Sequence, residues 1–147
     1  MQDLLYVASS WRNPLYDDVL AVLRVAGVTH YDFKNPAPGN KGFHWSEIDL
    51  AWKSWTSREY RQALDHPTAC HSFYCNMAAL KASTRLLLVL PCGRSAHLEL
   101  GYAIGAGKET IIYMPEGQLF EAELMYKAAA HLCINMGEVL ACLGIPN

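Results

Sequence analysis

The uninterrupted apolar run Leu86–Leu90 constrains the fold of this chain more than any other segment. A strand with no polar residue is buried on both faces, which is typical of a parallel sheet covered by helices. Parallel strands need long crossover connections, and the run is followed by the loop Pro91–Arg94 and then by helix-spaced apolar residues. The run therefore predicts a central strand of an α/β sheet.

Strands and helices alternate along the rest of the chain. Short apolar runs predict further strands at Leu4–Ala8, Val28–Phe33, Thr110–Met114 and His131–Asn135. Periodicity and breakers predict helices from Pro14 to Gly27 and over Trp45–Trp55, Ser57–Leu64, Ser72–Ala82, Ser95–Ala106, Glu121–Ala129 and Met136–Leu143. This alternation predicts one domain over residues 1–147, an α/β, flavodoxin-like three-layer sandwich with a five-stranded parallel sheet.

Composition narrows the class of partner. The net charge is −2, which gives no general attraction to a nucleic acid polymer or an acidic membrane. No apolar segment reaches the roughly 18 residues of a membrane span, and the N-terminus lacks a basic signal-peptide region. We therefore expect a cytoplasmic protein. The five cysteines are odd in number and lack a Cys-x-x-Cys pair, which favours small buried hydrophobes over disulfides or zinc ligands.

The helix after the central strand offers a candidate site. Ligands of such sheets bind beyond the carboxyl ends of the strands, where Pro91–Ser95 lies. Ser95 is a favourable N-cap, and the free N–H groups of a helix start after Gly93 form an anion site to which Arg94 adds charge. Glu99 lies about one turn further on, at the edge of the apolar face that packs on the sheet. Tyr102 could orient Glu99 or simply pack.

This stretch carries a family resemblance. The segment Glu99-Leu100-Gly101-Tyr102-Ala103, followed by Gly107-Lys108 and Ile111–Glu116, resembles the signature of the nucleoside 2-deoxyribosyltransferase family. The resemblance implies a flavodoxin-like fold and identifies Glu99 as the nucleophile that attacks the anomeric carbon and forms a glycosyl-enzyme ester. A second base or water then takes the sugar. The resemblance also implies that the chain forms a homodimer or a larger homo-oligomer.

The resemblance further suggests how a substrate is held. Related hydrolases bind nucleoside 5′-monophosphates through serines, and Ser95 with Ser9 or Ser10 matches those positions. Trp11 lies on the first loop and could stack on a base. Asp32 ends the second strand and either contacts substrate or caps the strand. We expect a small-molecule nucleoside or nucleotide as partner.

No cofactor or metal is expected. The segment His66–Cys75 is rich in histidine and cysteine, but Cys70 and His71 are adjacent and fit no zinc spacing.

Two alternatives stay open. Members of the family that the segment resembles usually carry an acidic residue just before the third strand or in the loop after it, whereas this chain has Ser83-Thr84-Arg85 and Cys92-Gly93-Arg94 there. This difference favours a non-catalytic nucleotide-binding module, used as a sensor or for sequestration. A Toll/interleukin-receptor-like domain that cleaves NAD is the other alternative, since it shares the sheet architecture and a catalytic glutamate.

Overall fold

The apolar runs form one parallel sheet in the computed structural model, which describes residues 3–146. The strands are β1 (Leu5–Ala8), β2 (His30–Asp32), β3 (Arg85–Val89), β4 (Glu109–Tyr113) and β5 (His131–Cys133). Every neighbouring pair is parallel, and the order is β2-β1-β3-β4-β5. This is the flavodoxin-like order, so the predicted fold class is confirmed.

Five α-helices connect or follow the strands within the described residues. They are α1 (Tyr16–Val25), α2 (Ser57–Ala63), α3 (Pro67–Ala82), α4 (Arg94–Gly105) and α5 (Met136–Cys142). The α3 helix begins at Pro67 rather than at the predicted Ser72, because a proline needs no N–H partner in the first turn of a helix.

Two predicted helices are shorter than expected. The segment predicted as helical over Trp45–Trp55 contains only two single 3₁₀ turns. Asp49 lies between those turns and accepts hydrogen bonds from the Ala51 amide at 2.9 Å and from the Trp55 indole at 2.7 Å. These bonds favour a local turn over a continuous helix. The segment predicted over Glu121–Ala129 is a 3₁₀ helix at Leu124–Ala128.

The chain divides into two compact units. The sheet unit comprises the residues up to Asp32 and those from Ala82 onward, and the insert unit is Phe33–Lys81. Within the insert unit, the Trp45 ring packs edge-on against three other aromatic rings. Its ring centroid lies 4.8–5.9 Å from those of Phe43, Trp55 and Tyr60. The expectation of one domain over residues 1–147 stays a prediction.

The sheet unit is layered. The side chains of β1 and of Leu86–Val89 in β3 are buried. The crossovers through α1 and α4 run toward opposite edges of the sheet, and right-handed crossovers then place these helices on opposite faces. Gly27 and Gly107 follow the two helices with φ of 76° and 75°, a conformation that favours glycine at a helix C-terminus.

The cysteines differ from the expectation of burial. Cys133 is buried and Cys70 is exposed, while Cys75, Cys92 and Cys142 are intermediate. The prediction is therefore wrong for Cys70, because only Ala69 and Leu80 of α3 are buried.

Two structural findings bear on membranes and metals. No helix within residues 3–146 is long and apolar enough to cross a membrane. In the same residues, no group of three or more His, Cys, Asp or Glu side chains is placed to hold a metal ion.

Candidate active site

Helix α4 starts one residue earlier than the sequence suggests. Gly93, with extended backbone angles, is the N-cap, and the His97 amide donates to its carbonyl oxygen at 3.4 Å. The prediction that Ser95 is the N-cap is therefore wrong, since Ser95 is the second residue of the helix. The side chains of Arg94 and Ser95 are exposed beside Gly93, at the carboxyl end of β3.

Glu99 lies at the edge of the face of α4 that packs on the sheet. The buried residues of that face are Ala96, Leu100 and Ala103, and α4 contacts β1, β3 and β4. The Glu99 side chain is half-buried, as its place beside this face predicts. Burial raises the pKa of Glu99 from its ordinary 4.5 to about 7, although a hydrogen bond from Tyr6 lowers it. This carboxyl group changes its charge near neutral pH.

Tyr6 is the hydrogen-bond donor to Glu99. Its side chain on β1 is 0% exposed, and its hydroxyl donates to Glu99 Oε2. The ring stacks on that of Tyr31 of β2, with centroids 5.2 Å apart. Burial raises the pKa of Tyr6, and the Glu99 carboxylate raises it further, so Tyr6 keeps its proton and donates it in the hydrogen bond. A rigid strand thus holds one oxygen of Glu99.

Cys92 in the turn before α4 and His97 in the first turns of α4 lie side by side, with Sγ 3.7 Å from Nδ1. Burial raises the pKa of Cys92 to about 12, with a smaller contribution from the nearby Glu99 charge. His97 lies with Nδ1 2.7 Å from the Gly93 carbonyl oxygen and Nε2 2.7 Å from the Tyr126 hydroxyl. Since a carbonyl only accepts, Nδ1 donates to it. His97 therefore joins the start of α4 to the 3₁₀ helix that contains Tyr126.

The loop after β1 uses its polar side chains for its own structure. Ser9 Oγ donates to the Val89 carbonyl oxygen at 2.9 Å and accepts from Asn13 Nδ2 at 3.0 Å. Asn13 is 4% exposed and also donates to Val89 O at 3.2 Å. Ser10 Oγ accepts from the Arg12 amide at 3.2 Å. Both predicted serines are half-buried at the carboxyl edge of the sheet and already hydrogen-bonded.

Asp32 is on the other face of the sheet. Its Oδ1 accepts a hydrogen bond from the buried Tyr16 hydroxyl of α1 at 2.7 Å. Tyr31 and Asp32 are consecutive in β2, and successive side chains of a strand point to opposite faces. Tyr31 stacks on Tyr6 on the α4 face, so Asp32 is separated by the sheet from Glu99.

Two aromatic residues that the sequence predicted as part of the site lie at the surface. Tyr102 on α4 is exposed, and among the described residues the tyrosine that donates to Glu99 is Tyr6. Trp11 is exposed on the loop after β1, at the same edge of the sheet as Gly93.

Comparison with solved structures finds chains of similar fold. A 2-deoxyribosyltransferase from the psychrotolerant bacterium Bacillus psychrosaccharolyticus matches with a TM-score of 0.58 and 20% sequence identity. The match covers 97% of this chain and 97% of that chain. The two chains share a fold. At this identity the similarity extends to the fold alone. No protein-family model and no curated protein matches the sequence.

Sequence reasoning missed Tyr6 as a site residue. The sequence feature that could have identified Tyr6 is its hydroxyl group, since the rest of the strand Leu5–Ala8 is aliphatic. A buried tyrosine hydroxyl needs a hydrogen-bond partner, so this position predicts a polar group on a packed element. Cys92 was named only as a departure from the family pattern, and the charge of Glu99 contributes to raising its pKa.

Proposed function

We propose that this chain cleaves or transfers at the N-glycosidic bond of a nucleoside or nucleoside 5′-monophosphate, with Glu99 as the nucleophile. The observation that carries the proposal is the half-buried Glu99 carboxyl group, held by Tyr6 in a fold similar to that of a 2-deoxyribosyltransferase. Glutamates that are desolvated and fixed by a neighbour in this way are typical of catalytic carboxyl groups.

The chemistry uses the two carboxylate oxygens differently. Tyr6 holds Oε2, which leaves Oε1 to attack the anomeric carbon. The new C–O bond forms as the C–N bond breaks, and the base leaves with the electron pair and takes up a proton. A second base or water then attacks the same carbon and gives up a proton to solvent, and Glu99 is released as carboxylate. The negative charge of Glu99 also stabilises the positive sugar ring in both transition states.

A phosphate site lies at the start of the same helix. Gly93, Arg94 and Ser95 are exposed where the first N–H groups of α4 point outward, and Arg94 adds a positive charge. Ser9 and Ser10 are already hydrogen-bonded within their loop. The 5′-phosphate of a nucleotide therefore has its best anchor at Gly93–Ser95, with Ser9 and Ser10 shaping the neighbouring wall.

The base and the assembly are further parts of the proposal. Trp11 is an exposed ring at the edge of the sheet and is positioned to stack on a base. We also propose a homodimer or higher homo-oligomer, which light scattering of the purified protein tests.

The test is release of free base from a panel of nucleosides, deoxynucleosides, their 5′-monophosphates and NAD. Chromatography of each mixture should show base release by the native protein and none by Glu99→Gln, which preserves shape and an acceptor for Tyr6. Nicotinamide release from NAD alone would point to the Toll/interleukin-receptor-like alternative. If no compound is cleaved while nucleotides raise the melting temperature of both proteins, the chain is a binding module.

A further inference from the structure

Two cysteines at the end of the sheet face each other. Cys133 is the last residue of β5 and Cys142 the last of α5. Their sulfur atoms are 3.7 Å apart. A disulfide needs about 2.05 Å, so side-chain adjustment of roughly 1.6 Å would join them. Cys133 is 2% exposed and Cys142 is half-buried, so one thiol of the pair is open to reagents.

The other three cysteines have different surroundings. Cys75 Sγ lies 3.7 Å from His71 Nε2, and Cys92 Sγ lies 3.7 Å from His97 Nδ1. Cys70 donates to the Leu64 carbonyl oxygen. Among the described residues, Cys133 and Cys142 are the two thiols within hydrogen-bonding distance of each other. This makes the pair chemically distinct from every other thiol of the chain.

We propose that Cys133 and Cys142 form a reversible intramolecular disulfide when the protein meets a small-molecule disulfide such as oxidised glutathione. The Cys142 thiolate attacks one sulfur of the oxidant, giving a mixed disulfide and one free glutathione thiol. Cys133 then loses its proton and attacks Cys142 Sγ, which releases the second glutathione thiol. The two protein thiols are oxidised, and one oxidant molecule is reduced to two thiols.

The environment sets this order of attack. Burial, together with the Cys142 thiol, raises the pKa of Cys133 to about 12, which leaves its thiol protonated and unreactive toward a reagent in solution. Once Cys142 is in the mixed disulfide, its own thiol no longer opposes ionisation of Cys133. Cys133 is therefore the resolving cysteine.

The disulfide would act on the loop that follows β4. The Cys133 carbonyl oxygen accepts from the Met114 amide at 2.8 Å, and Ile134 O accepts from Glu116 N at 3.0 Å. Helix α5 packs on both β4 and β5. A covalent bond from α5 to the end of β5 would reduce local opening of these two hydrogen bonds. Oxidation therefore fixes the start of the loop at the carboxyl edge of the sheet.

The test combines mass spectrometry with cysteine variants. Folded protein is treated with oxidised glutathione, then unfolded, alkylated and digested with a protease that cleaves at Glu138, between the two cysteines. We expect one peptide pair linked through Cys133 and Cys142, reversed by dithiothreitol, while Cys70 and Cys75 are alkylated. Cys142→Ser should abolish the link, and the matched control Cys75→Ser should keep it. Cys142 is half-buried, so its variant serves even if Cys133→Ser does not fold.

A second readout reports the consequence for the fold. The oxidised protein should melt at a higher temperature than the reduced protein, with slower hydrogen exchange at Met114 and Glu116. Neither difference should occur in Cys142→Ser. The proposal is overturned if both cysteines are alkylated when the glutathione-treated protein is unfolded, or if Cys142 retains glutathione and no bond to Cys133 forms.

Discussion

Two tyrosine–carboxylate pairs lie on opposite faces of one sheet, and they differ in what the carboxyl group can do. Tyr6 of β1 donates to Glu99 of α4, and Tyr16 of α1 donates to Asp32 of β2. Both tyrosines are fully buried. Each bond ties a strand to a helix, so the hydrogen bond alone does not distinguish a catalytic group from a structural one.

The surroundings provide the distinction. Glu99 is on the helix that begins at the exposed turn Gly93–Ser95, and burial brings its pKa to about 7. Asp32 ends an edge strand on the face opposite Glu99. Glu99 therefore combines partial burial with a position on a helix that begins at an exposed turn, and this combination is the basis of the catalytic role proposed for it.

The largest expected effect is on turnover. Glu99→Gln removes the proposed nucleophile and should lower base release by about 10³-fold or more. Asp32→Asn retains an acceptor for Tyr16 and should keep kcat within about tenfold. Steady-state assays by chromatography measure both variants on the same substrate. Equal losses in the two variants would remove the distinction between the pairs, and a higher KM alone in Asp32→Asn would assign Asp32 to substrate binding.

The next effect is on stability and has a definite sign. Glu99 has a pKa of about 7 in the folded protein and an ordinary value of 4.5, so the stability it contributes is present below pH 4.5 and lost as the pH rises through 7. At pH 8 this loss amounts to about 3 kcal/mol. Glu99→Gln should therefore be more stable than the native protein at pH 8, with a smaller difference at pH 5. Urea unfolding of the two proteins at pH 5 and pH 8 measures this difference in the free energy of unfolding. An equal difference at the two pH values would contradict the pKa of Glu99.

Removing each hydroxyl should separate the two pairs further. Tyr6→Phe and Tyr16→Phe each remove one buried hydrogen bond and should each destabilise the fold by about 1–3 kcal/mol. Only Tyr6→Phe should lower kcat, by about tenfold, since it frees the Glu99 side chain.

The same variants predict a change in the pH profile. Native activity should rise with pH through about 7, because the nucleophile must be ionised. The Tyr6 bond lowers the pKa of Glu99, so Tyr6→Phe should move the rise to higher pH. Tyr16→Phe should leave the profile in place. A shift in both variants would indicate a general loss of structure.

The smallest expected effect concerns the exposed turn beside Glu99. Arg94→Ala should raise KM for a nucleoside 5′-monophosphate by about tenfold, the size of one charge-assisted contact. KM for the corresponding nucleoside and the stability should be unchanged, since Arg94 is exposed. An equal rise for both substrates would contradict a phosphate site at this turn.

The pattern of apolar runs was sufficient to predict the sheet. The run Leu86–Leu90 predicted a strand buried on both faces, and β3 lies in the middle of the sheet. The edge position of Glu99 followed from helical periodicity in α4. Both features arise from regular repeats, which local sequence expresses directly.

The contacts between elements could not be predicted in the same way. The Tyr6–Glu99 bond joins residues 93 positions apart, and a sequence pattern does not say which helix covers which strand. Ser95 was misplaced because the N-cap depends on backbone angles that Gly93 adopts. Alternation within β2 predicts that Tyr31 and Asp32 point to opposite faces of the sheet, but it does not say which of them shares a face with Glu99.

The most direct measurement is the mass of the protein quenched during turnover with a cleavable nucleoside. The account predicts that part of the protein gains the mass of one sugar, on the peptide that contains Glu99. Glu99→Gln should show no such species. Base release by the native protein with the sugar on another residue, or undiminished release by Glu99→Gln, would contradict Glu99 as the nucleophile.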